Sequence, residues 1–370
     1  MSGARAGGAP AEGADPARGG GPAPEGAGVG GSALRALRAL PSARAIAALA
    51  VVVALGCVFH KDGAFFVWST HRGVLREISV HGMLACGMTL VVISGGIDLA
   101  VGSVLSLAAV SFALLTMPLG WGAGAAVLAV LAVGVAAGVT SGALVSRFRM
   151  QPFIATLAMM VFARGLSKLL SGGRKVTSYV ALPDGSSQAL PHPRIFELID
   201  SKVLGGNVSI VTLIFLACVG ATWLILARLR LGRHLYAVGG NAEAARLSGV
   251  PVGRTLVLAY AISGLFAALA GICQAAQETH GDPETGAGYE LDAIAMVVIG
   301  GTTLTGGRGG ALLTLIGALT IGYLQKILSL NAFSTETRLM LTGAILVGAV
   351  LLQRGSGMRL RLRRQDGGGS

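Results

Sequence analysis

The sequence predicts an all-α, polytopic membrane protein with about ten transmembrane helices. Of its 370 residues, 53% are hydrophobic and 12% are charged, and the mean hydropathy is +0.71. Apolar runs of about 18–25 residues recur along the chain, and each can cross a hydrocarbon core of roughly 30 Å. This composition lies outside the range of ordinary soluble domains of similar length.

The candidate spans are continuous apolar runs separated by polar loops. They cover residues 43–60, 78–95, 99–117, 121–145, 152–170, 208–227, 255–277, 291–305, 310–330 and 337–353. The run 291–305 is short for a full crossing, which predicts a partly re-entrant segment. Glycines 134, 138 and 142 in one span, and Gly264, Ala268 and Gly271 in another, predict faces where two helices pack closely.

The two ends of the chain are predicted to be cytoplasmic tails. Residues 1–42 are rich in Gly, Ala and Pro and cannot bury a core, so they are predicted to be disordered. The first apolar run is followed by charged residues rather than a cleavage site, so it is expected to remain as a membrane anchor. Residues 43–353 are predicted to form the transmembrane domain, and residues 354–370 a basic tail.

The distribution of charge predicts the orientation. With both termini inside and ten alternating spans, most arginines face the cytoplasm, as the positive-inside bias requires. The predicted external loops are 171–207 and the acidic 278–290. The net charge of +12 then lies beside anionic membrane lipid. Binding to nucleic acid is not expected, because the arginines are spread over loop ends rather than gathered on one soluble face.

The sequence indicates no catalytic residue, metal site or cofactor site. The four cysteines lie in apolar runs, where a thiol behaves as a small hydrophobic group, and the six histidines lack metal-ligand spacing. The chain also lacks a nucleophile elbow and a Walker-type phosphate loop. If ATP drives this protein, the nucleotide and its Mg are held by another chain.

Two glycine-rich segments interrupt the spans and are candidates for a translocation pathway or gate. The first glycine break is residues 94–103, with candidate residues Gly95, Gly96, Asp98 and Gly102. The second glycine break is residues 299–310, with candidate residues Gly300, Gly301, Thr302, Gly306 and Gly307. The sequences Val-Val-Ile-x-Gly before each break are faintly alike, which hints at an internal duplication.

The charge of Asp98 allows two interpretations. A carboxylate at the centre of a membrane helix costs roughly 2.5–3.5 kcal/mol on insertion scales, so its position needs a reason. Asp98 could cap the next helix and meet the positive end of its dipole. It could instead line or gate the pathway. The second break is likewise open to a structural or a ligand-binding interpretation.

The polar segment 228–254 separates two long apolar runs. A short Ala-rich helix is predicted to begin near Asn241, to carry Glu243, and to end at Gly249 before Pro251. The candidate functional residues of this segment are Gly240, Asn241, Glu243, Ala244, Ala245 and Gly249. An alternative interpretation of Glu243 is a solvated acid that pairs with Arg246 three residues later.

Four landmarks occur in order along the chain. They are residues 95–103 (GGIDLAVGS), 151–157 (QPFIATL), 239–249 and 297–310. Together they resemble the permease subunits of ribose/xylose/galactose-type ABC sugar importers, and the resemblance covers about residues 78–353. The Ile-x-Leu-Pro ending that is common in importer loops is absent, since Ala259–Ile262 stands in its place. Glu243 and Gly249 therefore carry over, and that ending does not.

This resemblance implies a function and a set of partners. It implies a multi-pass permease of the bacterial inner (plasma) membrane that moves a monosaccharide by alternating access. The polar segment would be the coupling loop that docks on a cytoplasmic ATP-binding subunit. A second permease subunit and an external substrate-binding protein would complete the importer.

Three other functions stay open on the sequence. The chain could be an ABC permease for another small solute, such as branched-chain amino acids. It could be a secondary carrier, for which Asp98 is the candidate ion-coupling group, or a membrane scaffold without transport activity. Trp68, Trp121 and Trp223 are interpreted as interfacial anchors rather than sugar-stacking residues.

Overall fold

A computed structural model describes residues 41–181, 187–189 and 193–334, together with isolated helical positions between 336 and 347. The described part is mostly helical, and its hydrophobic core is centred on the helix Trp68–Ile93. The tails predicted at 1–42 and 354–370 lie outside the described residues, apart from 41 and 42. The span predicted at 337–353 lies largely outside them as well.

We number the helices in chain order. They are α1 (Pro41–Val58), α2 (Trp68–Ile93), α3 (Val101–Thr116), α4 (Ala123–Arg147), α5 (Pro152–Ser171), α6 (Arg194–Asp200), α7 (Ile210–Arg228), α8 (Arg230–Gly240), α9 (Ala242–Leu247), α10 (Val252–Glu278), α11 (Tyr289–Ile299) and α12 (Ala311–Leu330). A 3₁₀ turn, Ala64–Phe66, precedes α2. By length and composition α2, α4, α5, α7, α10 and α12 can cross a membrane, and α1 and α3 are shorter apolar helices.

The nine predicted spans between residues 43 and 330 each overlap a helix, and the largest difference is at the start of α2. This helix begins at Trp68 rather than near residue 78. Its first ten residues are largely polar, so hydropathy does not distinguish them from a loop. The span predicted at 291–305 is helical only to Ile299.

The predicted loop 171–207 contains regular structure that the sequence analysis did not predict. Strands β1 (Tyr179–Ala181) and β2 (Ser187–Ala189) pair antiparallel, and so do β3 (Lys202–Val203) and β4 (Val208–Ser209). Helix α6 lies between the two pairs in sequence. The all-α prediction therefore holds for the membrane helices but missed these strands, which are too short to show an alternating pattern.

Helices α4 and α10 pack closely along the predicted glycine face. Gly134 lies against Gly264 and Ala268, and a Cβ atom on Gly138 would overlap the carbonyl oxygen of Tyr260. Backbone therefore meets backbone, as small-residue interfaces in membranes allow. Gly271 instead faces Leu105 and Ala108 of α3, so α10 uses small residues on two sides.

The segment between α10 and α11, residues 279–288, runs back among the helices. Gly281 contacts Ala109 and Ala113 in the second half of α3, and Gly286 contacts Gly102 near its start. This path follows α3 for about 10–16 Å at the usual helical rise. We call this segment the descending loop. Helix α11, of 11 residues, therefore begins deep in the bundle, as expected for a partly re-entrant segment.

Candidate functional site

The polar segment 228–254 forms two consecutive helices, of which only the second was predicted. The first, α8, buries Leu235 and Val238. Leu235 joins a small apolar cluster with Leu90 and Ile93 at the end of α2 and with Tyr260 of α10. This cluster anchors α8 to α2 and α10.

The second helix, α9, begins and ends as its sequence predicts. The side chain of Asn241 accepts a hydrogen bond from the Ala244 N–H at 2.9 Å, which caps the first turn. At the other end Gly249 has a φ of +82°, and the Val250 N–H donates to the Ala245 carbonyl at 3.0 Å. These contacts form a glycine-based C-cap. Asn241 and Gly249 are thus needed for the shape of α9.

The outer face of α9 is exposed and carries one ion pair. Arg246 donates two hydrogen bonds to Glu243, at 2.6 and 3.1 Å, so the pair considered as an alternative role for Glu243 is present. These bonds and the charge of Arg246 hold the pKa of Glu243 below its ordinary value, and the carboxylate is ionised at neutral pH. The side chain of Leu247 is 78% exposed.

Helices α2 and α11 end in the same backbone motif, each at the start of a glycine break. Gly95 has a φ of +85° and Gly301 a φ of +103°. The N–H of Gly96 donates to the Val91 carbonyl at 3.0 Å, and the N–H of Thr302 to the Val297 carbonyl at 3.1 Å. The faint sequence repeat before the two breaks therefore has a matching geometry.

Asp98 lies inside the first glycine break and is only 3% exposed. Its carboxylate accepts hydrogen bonds from the Ala100 N–H at 3.0 Å and from the Ser263 hydroxyl at 2.7 Å. Nearby, the Tyr260 hydroxyl donates to the Ile97 carbonyl at 3.3 Å. Asp98 thus accepts from the N–H of Ala100, the residue just ahead of α3, and also ties the first break to α10. Among the described residues its carboxylate accepts from no N–H of α3 itself, so its capping role stays a prediction.

The second glycine break is held by its own threonine and by α8. The Thr303 hydroxyl donates to the Gly306 carbonyl at 3.0 Å, and the Thr303 N–H donates to the Arg308 carbonyl at 3.1 Å. The Tyr236 hydroxyl of α8 donates to the Gly309 carbonyl at 2.9 Å. These bonds pair polar backbone groups that would otherwise be costly at membrane depth.

The two breaks and α8 meet at one point, where their glycine backbones touch. The Gly307 N–H donates to the Ile93 carbonyl at 2.9 Å. A Cβ atom on Gly239 would overlap that carbonyl oxygen and lie 2.6 Å from the Gly307 nitrogen. A Cβ atom on Gly306 would lie 3.0 Å from the Cα of Gly95 and 2.8 Å from the Gly239 carbonyl oxygen. We call the contact of Gly95, Gly239, Gly306 and Gly307 the glycine junction.

The structure distributes the remaining candidate residues around this junction. A Cβ atom on Gly96 would lie 2.5 Å from the Tyr260 hydroxyl, and Gly300 packs against the backbone of Leu313. Gly102 lies apart from the junction, against Gly286 and Glu290. Gly239 opens the landmark 239–249 but was not a candidate site residue, and neither were Tyr236 and Ser263, because none of the three carries a charge.

The described residues contain no group of three or more His, Cys, Asp or Glu side chains that could hold a metal ion. Of the cysteines, Cys86, Cys218 and Cys273 are buried, and Cys57 is exposed.

Comparison with known proteins identifies the family. Residues 72–350 match the family described as "Branched-chain amino acid transport system / permease component". The chain is 38% identical over 311 residues to the ribose import permease of Escherichia coli K12, covering 82% of this chain and 91% of that protein. It is 37% identical over 287 residues to the ribose import permease of Bacillus subtilis 168, covering 76% and 83%.

A third relative is the L-arabinose transport system permease of Escherichia coli K12. It is 34% identical over 315 residues, which cover 82% of this chain and 88% of that protein. No solved structure matches the chain. The chain therefore belongs to this family of transport-system permease components, as a multi-pass membrane subunit of the ABC sugar-importer type and not an enzyme.

Proposed function

We propose that this chain is the permease subunit of an ATP-driven monosaccharide importer in the bacterial inner membrane. It crosses the membrane about ten times with both termini in the cytoplasm, including tails at residues 1–42 and 354–370. The relatives named above are permeases for ribose and arabinose, which supports a monosaccharide as substrate. ATP and Mg are held by a separate cytoplasmic ATP-binding subunit.

The observation that carries the coupling role is the exposed helix α9 on its buried support, α8. Ala245 is buried, whereas Ala242, Glu243, Ala244, Arg246 and Leu247 are all exposed. An exposed apolar side chain beside a fixed ion pair suits a protein partner, since interfaces combine apolar contact with charge complementarity. In this proposal Glu243 contacts the ATP-binding subunit directly. Gly240, Asn241 and Gly249 give α9 the shape that the contact requires.

The glycine junction offers a route from α9 to the membrane helices. Displacement of α8 by the ATP-binding subunit pushes on the end of α2 and on the second glycine break, because Gly239 touches Ile93 and Gly307 without an intervening side chain. The breaks then act as the gate of an alternating-access cycle. Asp98, Thr302 and the neighbouring glycines hold the gate segments in position rather than bind the sugar.

A second permease subunit and an external binding protein complete the proposed assembly. Helix α5 leaves Val161 63%, Phe162 64% and Leu169 77% exposed, which suits contact with lipid or with another permease. In the predicted loop 278–290, Asp282 pairs with Lys175 at 3.2 Å and Glu284 with Lys168 at 2.6 Å. The binding protein therefore meets a surface of mixed charge rather than a purely acidic one.

Co-purification tests this function most directly. The C-terminus is tagged, native membranes are gently solubilised, and the co-purifying proteins are identified by mass spectrometry. We expect a protein with a Walker A loop to be recovered with the wild type and lost with Glu243→Arg. Recovery of no such protein with a folded, abundant wild-type chain would refute the ATP-driven mechanism and favour a secondary carrier.

The description of the matched family favours one further candidate, a permease for branched-chain amino acids. Uptake of radiolabelled D-ribose and L-leucine by the same reconstituted importer separates the two. Sugar uptake that excess leucine does not inhibit is expected. The opposite pattern would assign the chain to amino-acid transport.

A further inference from the structure

A cleft of about 420 Å³ lies between α3, α5 and the start of α11. Its walls include Ser103 of α3, Met160 and Arg164 of α5, and Glu290 of α11. The volume falls within the range of roughly 300–1,000 Å³ typical of small-molecule sites. The cleft is separate from the glycine junction.

The position of the cleft along α5 places it near the middle of the membrane and toward its outer side. Helix α5 has 20 residues, about 30 Å at the usual rise, with Pro152 at its cytoplasmic end in the proposed orientation. Met160 and Lys168, which both line the cleft, lie about 12 and 24 Å from that end. A solute released by an external binding protein would meet this cleft before it reached the glycine junction.

Ser103 is the most deeply buried polar group on the walls. Its residue is 2% exposed, and no hydrogen-bond partner for its hydroxyl is found among the described residues. The hydroxyl can act as both a donor and an acceptor, beside the charged side chains of Arg164 and Glu290 and the apolar side chain of Met160. The hydroxyl can therefore pair with a ligand in the cleft.

Arg164 places a charge inside a membrane span, where charges are rare and usually functional. One of its nitrogens, Nη1, donates to the carbonyls of Pro283 and Thr285 at 2.6 and 2.7 Å. These bonds hold the descending loop against α5. In the described structure Arg164 makes no ion pair with Glu290, although both line the cleft.

We propose that this cleft binds the transported monosaccharide near the middle of its path, with Ser103 and Glu290 contacting sugar hydroxyls. The proposal rests on the function proposed above. Sugar hydroxyls both donate and accept, so a carboxylate and a serine hydroxyl can each pair with them. Arg164 positions the descending loop and balances the charge of Glu290, which suits a neutral solute. The apolar atoms of Met160 suit the C–H face of a sugar ring.

An amino-acid zwitterion could also satisfy one positive and one negative group. The sugar is favoured because the related permeases named above carry sugars. Leucine is therefore an arm of the test.

The first test is uptake by proteoliposomes that contain the permease with its ATP-binding subunit and binding protein. D-ribose, L-arabinose, D-fructose and L-leucine are the radiolabelled probes. We expect Ser103→Ala and Glu290→Gln each to lower uptake of the preferred sugar about tenfold, as loss of one hydrogen bond implies. ATP hydrolysis stimulated by the loaded binding protein, and the unfolding temperature, should stay near wild type. A purely structural role would lower all three quantities.

Ser141→Ala is the matched control, because Ser141 is also 2% exposed but lies on α4, outside the cleft. It should leave uptake unchanged. Normal uptake in both Ser103→Ala and Glu290→Gln would overturn the proposal.

The second test measures access to the cleft and does not depend on which solute is carried. Ser103→Cys is made in a Cys57→Ala background, since the other three cysteines are buried. A membrane-impermeant methanethiosulfonate reagent added outside should modify Ser103→Cys and block uptake, whereas Ser141→Cys should not react. Failure of the reagent to reach Ser103→Cys during turnover would refute the cleft. Leucine uptake without sugar uptake would refute the monosaccharide function while leaving the access result in place.

Discussion

Substitution of Gly239 by alanine tests whether the glycine junction transmits movement from α8 to the gate. The added methyl group would overlap the Ile93 carbonyl oxygen and come within 2.6 Å of the Gly307 nitrogen. All of these neighbours are backbone atoms, so they cannot give way by a change of rotamer. The hydrogen bond from the Gly307 N–H to the Ile93 carbonyl, 2.9 Å long, must lengthen or break.

The magnitude follows from three contributions. Loss of a buried backbone hydrogen bond costs about 1–3 kcal/mol, and overpacking of a close contact costs about another 1–3 kcal/mol. Alanine is favoured over glycine within a helix by about 1 kcal/mol, which partly offsets these costs. The net expectation is a destabilisation of about 3 kcal/mol, concentrated where α8 meets the two breaks.

The assay compares thermal unfolding in detergent, ATP hydrolysis and sugar uptake in reconstituted vesicles. We expect Gly239→Ala to lower the unfolding temperature and to lower the number of sugar molecules transported per ATP hydrolysed. Gly220→Ala is the matched control, because Gly220 is also helical and a Cβ atom there meets nothing within 4 Å. Unchanged stability and an unchanged sugar-to-ATP ratio in Gly239→Ala would show that the junction transmits no movement.

Three further predictions concern Glu243, Asp98 and the contact between α4 and α10. Glu243→Arg should insert normally but uncouple uptake from ATP hydrolysis. The double variant Glu243→Arg with Arg246→Glu should restore the ion pair without restoring uptake. Normal uptake in this double variant would show that Glu243 serves only as the partner of Arg246. Asp98→Ala should lower the unfolding temperature, because the Ser263 hydroxyl and the Ala100 N–H each lose a partner at about 1–3 kcal/mol, whereas Asp98→Asn should keep both stability and uptake. An uptake defect in Asp98→Asn at normal stability would instead assign the charge to the transport path. Gly138→Leu should destabilise the protein by about 1–3 kcal/mol, since the new Cβ would overlap the Tyr260 carbonyl oxygen. Gly124→Leu on the same helix is the control: a Cβ there meets open space, and thermal unfolding should be unchanged.

Local chemistry made parts of this fold predictable from the sequence. The start of α9 at Asn241 and its end at Gly249 follow from capping preferences that involve only neighbouring residues. The spans follow from long apolar runs, and the packing face of α4 follows from its regularly spaced glycines. In each case the signal lies within one stretch of chain.

The glycine junction and the cleft between α3, α5 and α11 could not be predicted in this way. Gly95, Gly239 and Gly306 are far apart in sequence and meet through backbone atoms, so no side-chain pattern marks their contact. Arg164 did carry a signal, because it is a charge inside a predicted span. Its role depends on the descending loop, however, whose path along α3 becomes visible only in three dimensions.

The glycine junction also limits the directions in which α8 can move. Three backbone segments of the chain meet there without side chains between them. The surfaces that touch are therefore formed by carbonyl and amide groups of fixed shape. A sideways slide of α8 would lift one backbone segment over another and leave a void. A small rotation of α8 about the contact would keep the three segments packed together. The helix therefore has one soft degree of freedom, a rocking motion with its pivot at Gly239, rather than free travel across the surface.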